Sequence, residues 1–317
     1  MQKTMILGAL AALAATPALA DYPQRPIQIV VPYSAGGSTD LSARLMAESL
    51  ARHLEGATVV VRNQPGGGGT IGTSSVANAR PDGYTLGIGA QGPLSIAPHM
   101  GGADYALTDV EFVGLFGRSL QVFVACAGAP FADYDAFAAY ARDKPVQVGN
   151  SGAGGANHIS AEAFGKAAGL KIESVPYPGS SDARTACVGG HIQAMVASPA
   201  EALAASEAGQ MTPLFVMEDE RIDLFPDTPT AKEKGVDFTW SSWKGVIAPK
   251  GIPEEVMAPL KAAVKAASED PDFREKMTAM GEFVTYEDGA AFTARAEKDA
   301  EVALKTLDEL GMTGMNN

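Results

Sequence analysis

Ile27-Gln28-Ile29-Val30-Val31-Pro32-Tyr33-Ser34-Ala35-Gly36-Gly37-Ser38-Thr39-Asp40-Leu41 contains a strand, a glycine turn and the start of a helix. Ile27 to Val31 is an apolar, β-branched run ended by Pro32, which reads as a short buried strand. Beyond the turn, Leu41, Leu45, Met46, Leu50 and Leu54 fall at helical spacing until Gly56 stops them. A helix start presents main-chain N–H groups that lack intrahelical partners, and the helix dipole adds about half a positive charge there. Gly36 and Gly37 let the backbone come close to a bound group, and Ser34, Ser38 and Thr39 add hydroxyls. Together they suit a carboxylate or phosphate. The same residues also fit a plain helix cap, with Ser38, Thr39 or Asp40 accepting from the first turn, and the two roles are compatible. Asp40 opposes an anion directly beside it, so it fits better as a cap, as a loop-ordering group, or as a partner for a ligand ammonium or hydroxyl.

The same rhythm continues outward from this unit. Strands are expected at Thr58–Val61, Tyr84–Ile88, Phe112–Phe116, Val122–Ala125, Val146–Val148, Ile172–Val175, Ile192–Ala197, Pro213–Val216 and Lys244–Ala248. Helices are expected near Ile71–Ala79, Tyr134–Ala141, Ile159–Ala168 and Asp182–Val188, from Pro253 through Ala267, and from Ala290 to Leu310. Strands alternating with helices argue for two α/β lobes, each a mostly parallel sheet covered by helices. Pro226, Pro229 and Gly235 mark an irregular stretch before the return strand, and Trp240 and Trp243 flank that return as core or hinge packing.

The 317 residues are 46% hydrophobic and 19% charged, which allows two domains of roughly 150 residues and excludes a disordered chain. A net charge of −13 argues against nucleic acid or an anionic membrane as partner. Lys3, the apolar run Met5–Ala15 and Ala18-Leu19-Ala20 form a secretory signal, with cleavage expected after Ala20 and a periplasmic destination. That compartment permits a disulfide between Cys126 and Cys187, although two buried free thiols is the preferred expectation.

Gly67-Gly68-Gly69-Thr70-Ile71-Gly72 matches the dinucleotide fingerprint, but Arg62-Asn63-Gln64-Pro65 separates it from its strand. Gly89-Ala90-Gln91-Gly92 holds no acid where a ribose would need one. The turn Gly149-Asn150-Ser151-Gly152-Ala153-Gly154-Gly155-Ala156-Asn157-His158 is its counterpart in the second half, so a cleft gripped from both sides is expected. Ser151 with His158 could instead serve an exported hydrolase, but the pattern departs from the nucleophile elbow at Ala153. His53, His99, His158 and His191 stand singly, without metal-ligand spacing, so no metal and no cofactor are expected; His158 is expected to make a polar contact at or near the ligand. Tyr177 could wall the pocket.

Pro26-Ile27 through Asp40 resembles the opening of the Bug-type extracytoplasmic solute receptors, which serve tripartite tricarboxylate transporters. Arg62-Asn63-Gln64-Pro65-Gly66-Gly67-Gly68, Gly72 and Ala79-Arg80-Pro81-Asp82-Gly83-Tyr84-Thr85-Leu86 continue the likeness in order. So do Gly149-Asn150-Ser151-Gly152, His158, Val175-Pro176-Tyr177, Gly179-Ser180, Gly189-Gly190, Pro229-Thr230, Ala248-Pro249 and Gly251-Ile252-Pro253. The resemblance implies a two-lobed periplasmic binding fold with two crossovers, near Arg118–Val122 and Trp240–Lys244. Residues 1–20 would be the signal, 21–118 plus 243–317 the first lobe, and 119–242 the second. It also implies a non-enzymatic, monomeric receptor that takes a small mono-, di- or tricarboxylate to membrane permease subunits; a sensor for a membrane kinase shares the fold. Receptors of this kind hold carboxylates through amides, hydroxyls and water. Carried over, the ligand residues are Tyr33, Ser34, Gly36, Gly37, Ser38, Thr39, Asp40 and Gln91, then Ser151, Gly152, Asn157, His158 and Tyr177. Pro178 departs from a frequent Lys, and Ala197-Ser198 from a frequent aromatic–Asp pair. Ser198 is therefore expected to read the ligand's far end as a neutral contact, suiting a second carboxylate better than an ammonium.

Overall fold

The computed structural model describes residues 22–315, so the secretory signal and its cleavage point lie outside the described residues. The first lobe's strands are β1 (Ile27–Val31), β2 (Val59–Asn63), β3 (Thr85–Ala90), β4 (Val110–Ser119), β10 (Ser242–Pro249) and β11 (Glu282–Asp288). They form one sheet in the order β11-β4-β10-β3-β1-β2. The second sheet, in the order β7-β6-β8-β5-β9, uses β5 (Val122–Cys126), β6 (Val146–Asn150), β7 (Ile172–Pro176), β8 (Ala194–Ala197) and β9 (Met211–Val216).

Both sheets are mixed. β1 pairs in parallel with β2 and β3, and β6 with β7 and β8, as strand–helix–strand units require. The strands on either side of the crossings break the pattern: β10 runs antiparallel to β3 and β4, and β5 antiparallel to β8 and β9. Each enters its sheet from the other lobe, so it can point against its neighbours without a covering helix. The chain leaves the first sheet through Leu120-Gln121 and returns through residues 217–241.

Helices α1 (Ser38–His53), α8 (Glu254–Glu269) and α9 (Pro271–Ala279) cover one face of the first sheet, where Ile29, Met46, Leu50, Phe116, Leu260 and Phe273 are buried together. α2 (Thr70–Ala77) and α10 (Gly289–Leu310) cover the other, around Leu115, Trp243 and Phe292. In the second lobe α4 (Tyr134–Asp143) and α5 (Ala156–Ala168) pack on a stack of Phe123, Phe137, Phe164 and Phe215. α6 (Ser180–Val188) and α7 (Pro199–Glu207) cover the opposite face. A short helix, α3 (Ala97–Met100), meets α5 and α10 through Met100, Ile159 and Leu307, so α10 bridges the lobes.

Cys126 and Cys187 form a disulfide, correcting the expectation of two thiols. The end of β5 and the end of α6 lie side by side: the Ala127 N–H donates to the Cys187 carbonyl at 3.3 Å, and the two Cα atoms are 4.8 Å apart. That spacing is normal for a bridge.

Candidate ligand-binding cleft

Between the lobes lies a small cavity of about 50 Å³. Tyr33, Ser34, Gly37, Ser38, Thr39, Asp40 and Gln91 line it from the first lobe, and Ser151, Asn157 and Ser198 from the second.

Gly37 caps α1 in extended backbone, and no side chain accepts from the helix's first N–H groups. Asp40 turns away from those groups. Its Oδ2 accepts from the Gly36 N–H at 2.9 Å and from Arg44 Nε at 3.0 Å; its Oδ1 accepts from Arg44 Nη2 at 3.0 Å and Asn63 Nδ2 at 2.8 Å. Burial would raise the Asp40 carboxyl, but Arg44, Gly36 and Asn63 outweigh it and hold the group below its ordinary range. Asp40 thus orders the loop and is already saturated. Asn63 also donates to the Tyr33 carbonyl at 3.0 Å. The Tyr33 hydroxyl donates to the Gly68 carbonyl at 3.3 Å, and burial pushes that phenol above its usual value.

Below the turn sits an ion pair that the sequence did not reveal. Lys244 Nζ donates to Glu282 Oε1 at 2.7 Å, to Ser38 Oγ at 2.8 Å and to Ser42 Oγ at 3.3 Å. Ser119 Oγ completes Glu282 at 2.7 Å. Both charged side chains are at most 3% exposed. Because Ser38 Oγ accepts from Lys244, its hydroxyl proton is left to donate into the cavity.

In the second lobe α5 and α6 also begin on glycines, Gly155 and Gly179, without side-chain caps. Their first turns bring Ala156, Asn157 and Ser180 to the cavity wall. Asn157 is fixed by donating to the Val196 carbonyl at 2.8 Å. Four sequence-proposed residues stand behind the wall rather than on it. Gly36 has a φ of +80°, and a Cβ there would have nothing within 4 Å, so it serves the turn's geometry. Gly152 donates its N–H to Asn150 Oδ1 at 3.0 Å. His158 Nδ1 accepts from the Gly154 N–H at 3.1 Å, and burial pushes its pKa down to about 4. Tyr177 packs against the buried cluster that holds Cys187 and Ile192. Ser151 Oγ bonds Asn157 Oδ1 at 3.4 Å rather than His158, so no Ser–His pair forms.

Ser198 is the N-cap of α7, locked to Glu201: its N–H and Oγ both reach Glu201 Oε2, at 3.1 and 2.8 Å. Glu201 itself lines the cavity, so this end is not the neutral corner expected from Ser198 alone. Other wall residues missed in the sequence include Ser119, Gln121, Trp243 and Lys244. Trp243 Nε1 is anchored on Asp299 Oδ2 at 2.6 Å.

Glycines pave the seam where the lobes meet. A Cβ on Gly68 would lie 2.0 Å from the Ala153 carbonyl oxygen, one on Gly152 2.7 Å from Gly68 Cα, and one on Gly179 2.8 Å from the Ser34 nitrogen. The glycine run that resembled a nucleotide fingerprint is therefore a contact surface between closed lobes.

Two mixed α/β lobes closed on a polar cavity define a solute-binding protein. Residues 42–306 match the tripartite tricarboxylate transporter family receptor model, and the chain belongs to that family. It is of the Bug type: BugT of Bordetella pertussis is 33% identical over 84% of both chains. The structure of the periplasmic binding protein BugD superposes with a TM-score of 0.88 at 31% identity, covering 92% of this chain and 99% of that one. Two Rhodopseudomonas palustris structures, each 28% identical, follow. MatC with bound malate has a TM-score of 0.83 over 90% of this chain and 100% of its own; an adipate complex has 0.85 over 92% and 99%. These relatives are binding proteins, and this chain is a receptor rather than an enzyme. Among the described residues no helix is long and apolar enough to cross a membrane, and no group of acids, His and Cys could hold a metal.

Proposed function

We propose that the protein is a periplasmic, monomeric receptor that captures a small organic acid in the interlobe cleft and hands it to the membrane subunits of a tripartite tricarboxylate-type transporter. The observation that carries this reading is the uncapped start of α1 on the cavity wall, with Ser38 held by Lys244 beside it. Fixed amide and hydroxyl donors at a helix N-terminus stabilise a carboxylate without an arginine clamp. The malate and adipate complexes of related receptors support the ligand class. The lobes open and close about Leu120-Gln121 and the 217–241 return, and the closed lobes present a composite surface to the permease. The first twenty residues direct export and are removed after Ala20.

Titration calorimetry of the exported chain against a panel of mono-, di- and tricarboxylates tests this. The expected result is saturable one-to-one binding of at least one acid. Failure of the whole panel would contradict it, and turnover of an ester or amide in its place would point to the hydrolase instead.

A further inference from the structure

The cavity wall carries free donors at the start of α1 and, on other residues, acceptors that no donor of the described chain meets. Glu201 Oε1, Gln121 Oε1 and Gln91 Oε1 are buried oxygens without a donor among the described residues, and all three residues line the cavity. Glu201 and Gln121 are only 4% and 3% exposed. Leaving a buried acceptor unpaired is costly, and more so for a charged one, so the free oxygens of Glu201 and Gln91 beside one small cavity point to a group brought in by the ligand; the Gln121 amide, whose side chain bonds nothing among the described residues, can turn its oxygen to the same group. Gln91 is held through its other atom, Nε2, on Asp299 Oδ2 at 3.4 Å, which turns its oxygen away from that contact. Glu201 needs no such orientation argument, since both its polar atoms are acceptors and Ser198 engages only one of them.

Charge points the same way. Among the charged residues on the wall, Asp40 is paired with Arg44 at 3.0 Å and Lys244 with Glu282 at 2.7 Å. Glu201 lines the same cavity with no cation in ion-pair range among the described residues, so the wall carries one uncompensated negative charge. A dicarboxylate would place a second anion beside it, where low dielectric makes repulsion large. A protonated amine brings one positive charge and three N–H donors.

We propose that the solute of this receptor is an amino-carboxylate: its carboxylate sits at the first turn of α1, and its ammonium is read by Glu201 with the carbonyls of Gln121 and Gln91. This rests on the receptor reading above and narrows its ligand class. Glu201 sets specificity for the ammonium over a second carboxylate.

The experiment is calorimetry of the exported chain with α- and ω-amino acids, ω-hydroxy acids and dicarboxylates of matched length, repeated on Glu201→Gln. Gln preserves the capping geometry with Ser198 while removing the charge. The tightest wild-type ligand should be an amino acid, at least tenfold tighter than the dicarboxylate of equal length. Glu201→Gln should weaken it tenfold or more, and at least tenfold more than it weakens the dicarboxylate. A dicarboxylate or hydroxy acid as tightest ligand, or equal weakening of both classes by Glu201→Gln, would overturn the proposal while leaving the receptor reading intact. If Glu201→Gln does not fold, the wild-type ranking decides alone. Binding by no member of any series would overturn the receptor reading, and this proposal with it.

Discussion

α1 and α7 both bring their N-termini to the cavity, and both carry an acid at the third helical position, Asp40 and Glu201. They differ in the residue before the helix and in the acid's surroundings. Gly37 has no side chain with which to cap α1, so Asp40 folds back onto Gly36, Arg44 and Asn63 and is neutralised, leaving the helix start open to an anion. Ser198 caps α7 and exchanges hydrogen bonds with Glu201, while one oxygen of that acid stays unpaired. A single choice between Gly and Ser, together with an arginine one turn on, makes the start of α1 a donor and the start of α7 an acceptor.

The largest expected effect concerns the support of the donor end. Lys244→Met strands the buried Glu282, and chemical denaturation should show a loss of about 4 kcal/mol, most of it restored by pairing the change with Glu282→Leu. A stability loss under 1 kcal/mol would show that the pair is incidental.

Next comes pH. His158 titrates near 4 in the fold against about 6.5 unfolded, so the unfolded chain binds the extra proton first. Its share of stability is full above pH 6.5 and falls by about 3 kcal/mol as pH drops toward 4. Comparing denaturation of wild type and His158→Asn across that window should show a flatter slope in the variant; equal slopes would remove the proton link from the Gly154 turn.

Closure joins the two ends. Gly68→Ala, whose Cβ would lie 2.0 Å from the Ala153 oxygen at a φ of +64°, should weaken ligand binding about 100-fold with the fold retained. Unchanged calorimetric affinity would mean that binding does not need this seam.

The smallest effect tests the neutralised acid. Arg44→Leu frees Asp40 to act as Glu201 does, and carboxylate affinity should fall about tenfold. An unaltered or stronger affinity would separate Arg44 from the donor end.

The donor end was legible because it is local: strand, glycines, hydroxyls and helix lie within fifteen consecutive residues. Lys244, Glu282 and Ser119 were not, since only the pairing of β4 with β10 and β11 brings them together. β11 escaped notice because the adjacent Phe283 and Val284 break its alternation, and α9 because only Phe273 and Met277 are buried among its polar residues. α7 is nearly all alanine between its polar residues and has no marked apolar face, so Glu201 went unseen with it. The cysteine pair was legible as permitted but not as formed, because pairing depends on where β5 and α6 end in space.

A crystal structure of the protein with the solute that co-purifies from its native host tests the account most directly. It should show carboxylate oxygens at about 2.7–3.2 Å from the amides of Ser38, Thr39 or Asp40 and from Ser38 Oγ. A carboxylate seated away from α1, or held instead by an arginine side chain, would contradict it.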